Sequence, residues 1–359
     1  MSPSSAVSRP PASRRLRRRS LLGLLAAAGT AGGLAAGLAT GWGTPATAQP
    51  QPVQLTLVSY AVAKPAYSKL IPEFQKEWKA KTGQTVSFKE SYGGSASQTR
   101  AILGGLEADV LAQNLSSLIT PLVEKGLVSA SWEKRLPNNA VPVTSVMAVV
   151  VRPGNPRKVQ GWADLAKPGV TSVSLNPKTS GNARWGFLAG YGSVLKDKGD
   201  AAAKTYLFGL VRNIKSQVNS GREATDAFVK NRVGDVLVTF ENEIIVTNEA
   251  IPKDFPYVVP SANLKVEFPV TVIDKVVDKR GTRKVAEAFT RFLYSPKAQE
   301  IFAEAGYRPT DRQVLRRYSN QFRLVRQLRS VADFGGWTAV DQKLFKDGAL
   351  FEQAQKAAR

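Results

Sequence analysis

The sequence predicts an α/β protein of two lobes, on three observations. Strand-like and helix-like segments alternate over short connections, they do so in two successive sets, and extended segments near residues 140–150 and 255–270 carry the chain between the sets. The length of 359 residues also fits two domains of about 150 residues each.

Val53–Tyr60 alternates apolar and polar residues as a half-buried strand and opens the first set. Tyr67–Thr82 follows as an amphipathic helix, with Leu70, Ile71, Phe74 and Trp78 on one face and Gly83 as its stop. Thr85–Glu90 reads as the second strand, Ser97–Leu106 as a helix and Ala108–Gln113 as the third strand. This alternation predicts a parallel sheet. Ser145–Arg152 is a long apolar strand ended by Pro153-Gly154-Asn155-Pro156. The second set then comprises the strand Ser172–Leu175, helices over Ala183–Lys196, Ala201–Val211 and Arg222–Asn231, and the strand Asp235–Phe240. Tyr257–Val259 and Val266–Ile273 are extended, and Arg283–Tyr294 and Lys297–Ala305 are helical. The chain is thus expected to run through lobe one (49–142), lobe two (143–262) and back to lobe one (263–359).

Residues 1–48 read as an address. Arg9, Arg14, Arg15, Arg17, Arg18 and Arg19 precede an apolar run from Leu21 to Leu38, and Ala46-Thr47-Ala48 supplies a small-x-small cleavage site. The run Arg18-Arg19-Ser20-Leu21-Leu22 fits a twin-arginine signal. A membrane anchor is the competing reading, but Gly and Ala anchor poorly and the cleavage site follows at the right distance. Cleavage near Ala48 would release an exported, periplasmic protein starting at Gln49.

Composition excludes much chemistry. The chain has no Cys and no His, which removes disulfides, thiolate metal sites, cysteine nucleophiles, Ser-His hydrolases and HExxH metalloenzymes. Removing the six leader arginines from the formal charge of +22 leaves +16, a field that attracts anions. The stretch Arg312–Arg329 holds six arginines and reads as a solvated helix face. Nucleic-acid binding would call for aromatic residues interleaved with the basic ones, and an exported chain rarely meets nucleic acid.

One device recurs. Gly93-Gly94-Ser95, Thr179-Ser180-Gly181-Asn182 and Ser220-Gly221 each stand at the head of a helix. A helix N-terminus offers free N–H groups and partial positive charge, and glycine lets an anion approach the backbone. The Ser and Asn side chains could add donors or simply cap their helices. Three such heads spread over both lobes point to a shared anion cleft. Glu241 and Glu243 are a carboxylate pair that acid–base chemistry could use, although structural or hinge roles suit their spacing better.

Several stretches together resemble the sulfate-binding proteins of ABC-type sulfate and thiosulfate importers. They are Ser91–Gln98, Lys134–Pro142, Val150–Pro156, Asn176–Trp185, Gly234–Glu243, Val272–Lys279, Tyr294–Gln299 and Phe334–Trp337. The resemblance implies the two-lobe periplasmic binding protein fold (type II), each lobe a mixed sheet flanked by helices, with the ligand cleft between the lobes. It also implies a monomer, without cofactor or metal, that captures a sulfate ion and passes it to membrane permease and ATPase subunits.

Carried over by position, Ser95 would give a hydroxyl and an N–H, and Gly181 and Asn182 would give N–H groups. Gly221-Arg222 would close the far side. Ala61 replaces the family's Asp after Ser-Tyr but can still offer its N–H, whereas Phe240 replaces an indole donor found in many members. Thiosulfate, and behind it molybdate or tungstate, stays open as the ligand. A secreted carboxylate enzyme and a surface binder of polyanions are the readings from other classes.

Overall fold

The computed structural model describes residues 50–246 and 251–359. The expected signal segment lies outside the described residues. Among the described residues, no helix is long and apolar enough to cross a membrane.

The first sheet is built around Val53–Tyr60, flanked in parallel by Val86–Gly93 and Val110–Ala112. Leu55, Leu57 and Val58 are fully buried because the strand is covered on both faces. The helix Lys64–Thr82 covers it with Leu70, Ile71, Phe74 and Trp78, and ends where Gly83 turns left-handed (φ 71°). The edge strand Val270–Val272 runs antiparallel beside Val110–Ala112, so the sheet is mixed rather than purely parallel. The returning chain is held there by buried Asp109, which accepts from the Thr56 N–H (2.6 Å) and the Thr282 hydroxyl (2.5 Å) and pairs with Arg280.

The second sheet has the order Ile214–Val218, Ser172–Leu175, Val236–Phe240, Met147–Val151, Tyr257–Val258. Its first three strands are parallel, and Met147–Val151 is antiparallel to both neighbours. Ile214–Val218 escaped the sequence reading because Lys215, Ser216 and Gln217 leave it little apolar signal, as suits an edge strand.

Val266–Ile273, expected as one extended segment, is divided at Pro269, which has no N–H to give a ladder. Val266–Phe268 pairs with Val143–Ser145 in a small connecting sheet, while Val270–Val272 joins the first sheet. Only Val146 separates Val143–Ser145 from Met147–Val151. The Asn263 amide clamps the two crossings together, accepting from the Met147 N–H (3.0 Å) and donating to its carbonyl (2.8 Å).

The C-terminal residues differ from their expected grouping with lobe one. Trp337 meets Trp185 edge-on (4.6 Å, 85°), Phe351 meets Phe187 (4.8 Å), and Arg184 pairs with Asp341 at 3.0 Å. Residues 337–351 therefore pack on the helix Gly181–Lys198, which covers the second sheet. Long-range burial of Trp185 and Phe187 decides this, and nothing local in the sequence encodes it.

Candidate functional site

The three helix heads meet. The helices Ser95–Leu103, Gly181–Lys198 and Gly221–Val229 all start at one tight cavity of about 10 Å³. Its walls are Tyr60, Ala61, Val62, Gly93, Gly94, Ser95, Asn114, Ser180, Asn182, Gly221 and Phe240, and none of these side chains is charged at neutral pH. Each helix directs its unpaired first N–H groups and the positive end of its dipole toward the same space.

Of the residues singled out from sequence, Ala61, Ser95, Asn182, Gly221 and Phe240 line the cavity. Ser95 is 2% exposed and Asn182 3%. Ala61 begins the short 3-10 turn that runs into the helix Lys64–Thr82. Phe240, at the end of its strand, is fully buried with its ring edge-on to Phe268. The structure does not put Gly181 or Arg222 in the lining. A Cβ at Gly181 would stand 2.1 Å from Asn114 Oδ1, so a glycine is needed there to admit that side chain. Arg222 is half-buried at the second position of its helix, directly after the lining residue Gly221.

Sequence reasoning missed Asn114, and it named Ser180 only as part of a helix head, not as a site residue. The Asn114 amide is buried, and its Oδ1 has no donor among the described residues. An amide also carries an NH2 end, so Asn114 can donate into the cavity. Ser180 and Ser220 occupy equivalent N-cap positions but use their hydroxyls differently. The Ser220 hydroxyl caps its helix, accepting from the Glu223 N–H (3.3 Å) and donating to the Glu223 carboxylate (2.9 Å). The Ser180 hydroxyl makes no cap bond. The Thr179-Ser180-Gly181-Asn182 run marked this position in the sequence, but not which way its hydroxyl turns.

Contacts onto backbone carbonyls across the cleft are close. The Ala96 N–H donates to the Thr179 carbonyl (3.0 Å), Arg100 Nη1 donates to the Lys178 carbonyl (3.0 Å), and Trp185 Nε1 donates to the Asn114 carbonyl (2.6 Å). A Cβ at Gly94 would lie 2.7 Å from the Asn219 carbonyl oxygen and 2.8 Å from that of Thr179.

The two glutamates lie in the helix Glu241–Val246, not on a strand. Two positions apart on a helix they point to nearly opposite sides. Glu241 accepts from Arg308 Nε (2.8 Å) and from the Arg323 N–H (2.9 Å). Glu243 lies behind the cavity wall and accepts from the Thr225 hydroxyl (2.6 Å) and the Thr239 hydroxyl. Asn182 Nδ2 in turn donates to Thr239 Oγ1 (3.2 Å), so this chain sets the Asn182 rotamer.

Burial raises the Glu243 pKa, with the two threonine hydroxyls opposing it. The folded protein therefore holds this proton where the unfolded chain, with its ordinary value of 4.5, has lost it. This group consequently removes stability as pH rises above about 4.5. Glu243→Gln should gain stability relative to the parent as pH rises above about 4.5, read as the shift in urea midpoint. A difference that does not vary with pH would contradict the assignment.

Comparison with known proteins follows the same lines. The family model for bacterial extracellular solute-binding proteins matches residues 55–308. A sulfate-binding protein of Synechococcus elongatus is 45% identical over 313 residues, covering 86% of this chain and 88% of its own. A thiosulfate-binding protein of Pseudomonas aeruginosa is 42% identical, covering 82% of this chain and 90% of its own. Among solved structures, the sulfate-binding protein SubI from Mycobacterium tuberculosis H37Rv superposes with a TM-score of 0.75 at 35% identity, covering 82% of this chain and all of that one.

Proposed function

The chain belongs to the bacterial extracellular solute-binding protein family, and from that premise we propose that it captures sulfate between its lobes and delivers it to the permease and ATPase of an ABC importer. It is a binding protein, not an enzyme. Residues 1–48 would direct export, and the mature protein would act as a monomer in the periplasm. Lobe one would comprise residues 49–142 and 263 onward, with the C-terminal residues resting on lobe two (143–262).

The observation that carries this reading is the uncharged cavity at three converging helix N-termini. Backbone N–H groups of the lining residues Ala61, Ser95, Asn182 and Gly221, joined by those of Gly181 and Arg222 next to the lining, and the hydroxyls of Ser95 and Ser180 would hold the oxyanion, with Phe240 as an apolar wall. Such a site favours sulfate, which is fully ionised and asks only for donors. Phosphate keeps a proton that needs an acceptor, and the cavity is lined by no carboxylate, only by the uncharged amide oxygens of Asn114 and Asn182. Meeting that proton with a neutral amide oxygen instead of a carboxylate gives up on the order of 1 kcal/mol.

Calorimetric titration of residues 49–359 with sulfate, thiosulfate, molybdate and phosphate tests the reading. The expected result is tight 1:1 sulfate binding that depends little on ionic strength. Tight thiosulfate binding without sulfate binding would keep the fold and change the ligand, and silence with all four would refute the role. Ser180→Ala should weaken sulfate by roughly 10- to 100-fold, the worth of one hydrogen bond to a charged group. Ser220→Ala should instead cost about 1 kcal/mol of stability through its lost cap, with affinity nearly unchanged.

A further inference from the structure

Between Asp311 and Asp333 the chain carries Arg312, Arg316, Arg317, Arg323, Arg326 and Arg329 and no acidic residue. In the fold this stretch is a strap rather than one helix face. A short helix, Arg312–Arg317, gives way to a turn at Ser319–Gln321 and then to the strand Gln327–Arg329, which pairs with Ala262–Leu264. The strap is fixed at two points. The Arg323 N–H donates to Glu241 and its carbonyl accepts from Arg308 Nη2 (2.8 Å), while the Gln327 N–H donates to the Ser261 carbonyl (2.8 Å). Residues 324–326 form a held tip between those anchors.

The tip exposes apolar surface. Leu324 is 82% exposed and Leu328 48%, two of the three exposed large apolar side chains among the described residues. The positive charge around them is largely uncompensated. Arg317 pairs with Glu300, Arg329 lies 3.7 Å from Asp197, and Arg323 lies over the Tyr257 ring. Arg312, Arg316 and Arg326 are exposed and make no salt bridge among the described residues. The neighbouring carboxylate, Glu241, is buried against Arg308.

We propose that this strap is a docking surface for an anionic lipid bilayer. Guanidinium groups pair with lipid phosphates in a forked geometry, and a protruding leucine between them reaches the boundary of headgroups and acyl chains. The partner is a lipid surface rather than a nucleic acid because the tip presents aliphatic side chains where single strands would need aromatic stacking platforms. The chain has no cysteine to carry a lipid anchor, so the strap gives an exported protein a reversible hold on the membrane. The proposal uses the export reading only to supply a membrane.

The test is co-sedimentation of residues 49–359 with vesicles of phosphatidylcholine alone and of phosphatidylcholine mixed with phosphatidylglycerol. Binding is expected only to the mixed vesicles. R312Q/R316Q/R326Q should weaken it by on the order of tenfold, and L324S several-fold without changing the salt dependence. K64Q/K69Q/K76Q, which removes the same charge from exposed positions of the helix Lys64–Thr82, should leave binding within about twofold. No binding to the mixed vesicles at low salt would overturn the proposal. Equal losses in the two triple variants would do so too, since net charge alone would then explain binding. An unchanged L324S would remove the bilayer as the partner. Sulfate titration of each variant reports folding and the transport reading separately, since none of these residues touches the cavity.

Discussion

Gly94→Ala should weaken sulfate binding on the order of 100-fold while leaving the unliganded protein about as stable as the parent. Gly94 has φ −65° and ψ 132°, a conformation alanine adopts freely, so the substitution strains nothing locally. The added methyl would meet the backbone oxygens of Asn219 and Thr179 at 2.7 and 2.8 Å. Backbone at that distance must shift, and the shift available is a wider cleft. Opening would also break the bond from the Ala96 N–H to the Thr179 carbonyl and draw the helix heads apart. The loss corresponds to about 2.7 kcal/mol. Calorimetry reads the affinity and thermal unfolding without ligand reads the stability. Parental affinity in this variant would mean that closure onto Gly94 contributes nothing to binding.

Ser95→Asp should abolish sulfate binding, a loss of 1,000-fold or more, equivalent to about 4 kcal/mol. The position is the first residue of the helix Ser95–Leu103 and is buried in the cavity wall. A carboxylate there is favoured by the helix N-terminus, so the fold accepts it. It would satisfy the same N–H groups that the ligand needs. It would also repel the anion, by about 4 kcal/mol per pair of unit charges at 4 Å and an effective dielectric near 20. Sulfate should raise the melting temperature of the parent by mass action, and in this variant that rise should vanish. A retained sulfate shift would place the anion elsewhere.

How much of this was legible in the sequence can be judged residue by residue. Val53–Tyr60 and Ser172–Leu175 have the same limits in the sequence and in the structure, because a buried strand leaves a local pattern of apolar residues. Gly83 was legible as a helix stop because a left-handed φ is a local demand. The helix heads at residues 93–95, 179–182 and 220–221 were legible for the same reason, since capping and turn chemistry belong to neighbouring residues. The likeness to sulfate-binding proteins rested on long stretches in order, and a family match over residues 55–308 agrees with it.

The tertiary structure decided what those local signals meet. Only packing brings three helix heads to one cavity, leaves the Ser180 hydroxyl uncapped while Ser220 caps its helix, and sets Asn114 against Gly181. Only packing turns Glu241 to Arg308 and Glu243 to two threonine hydroxyls, and lays Trp337 on Trp185. Sequence by itself determined the elements, their ends and the kind of donor at each helix start, because backbone dihedrals and one-sided burial are set by near neighbours. Which donors face a common space, and which side chains occupy one another, depends on contacts between residues dozens to more than a hundred positions apart, and those exist only once the two sheets and their helices have packed.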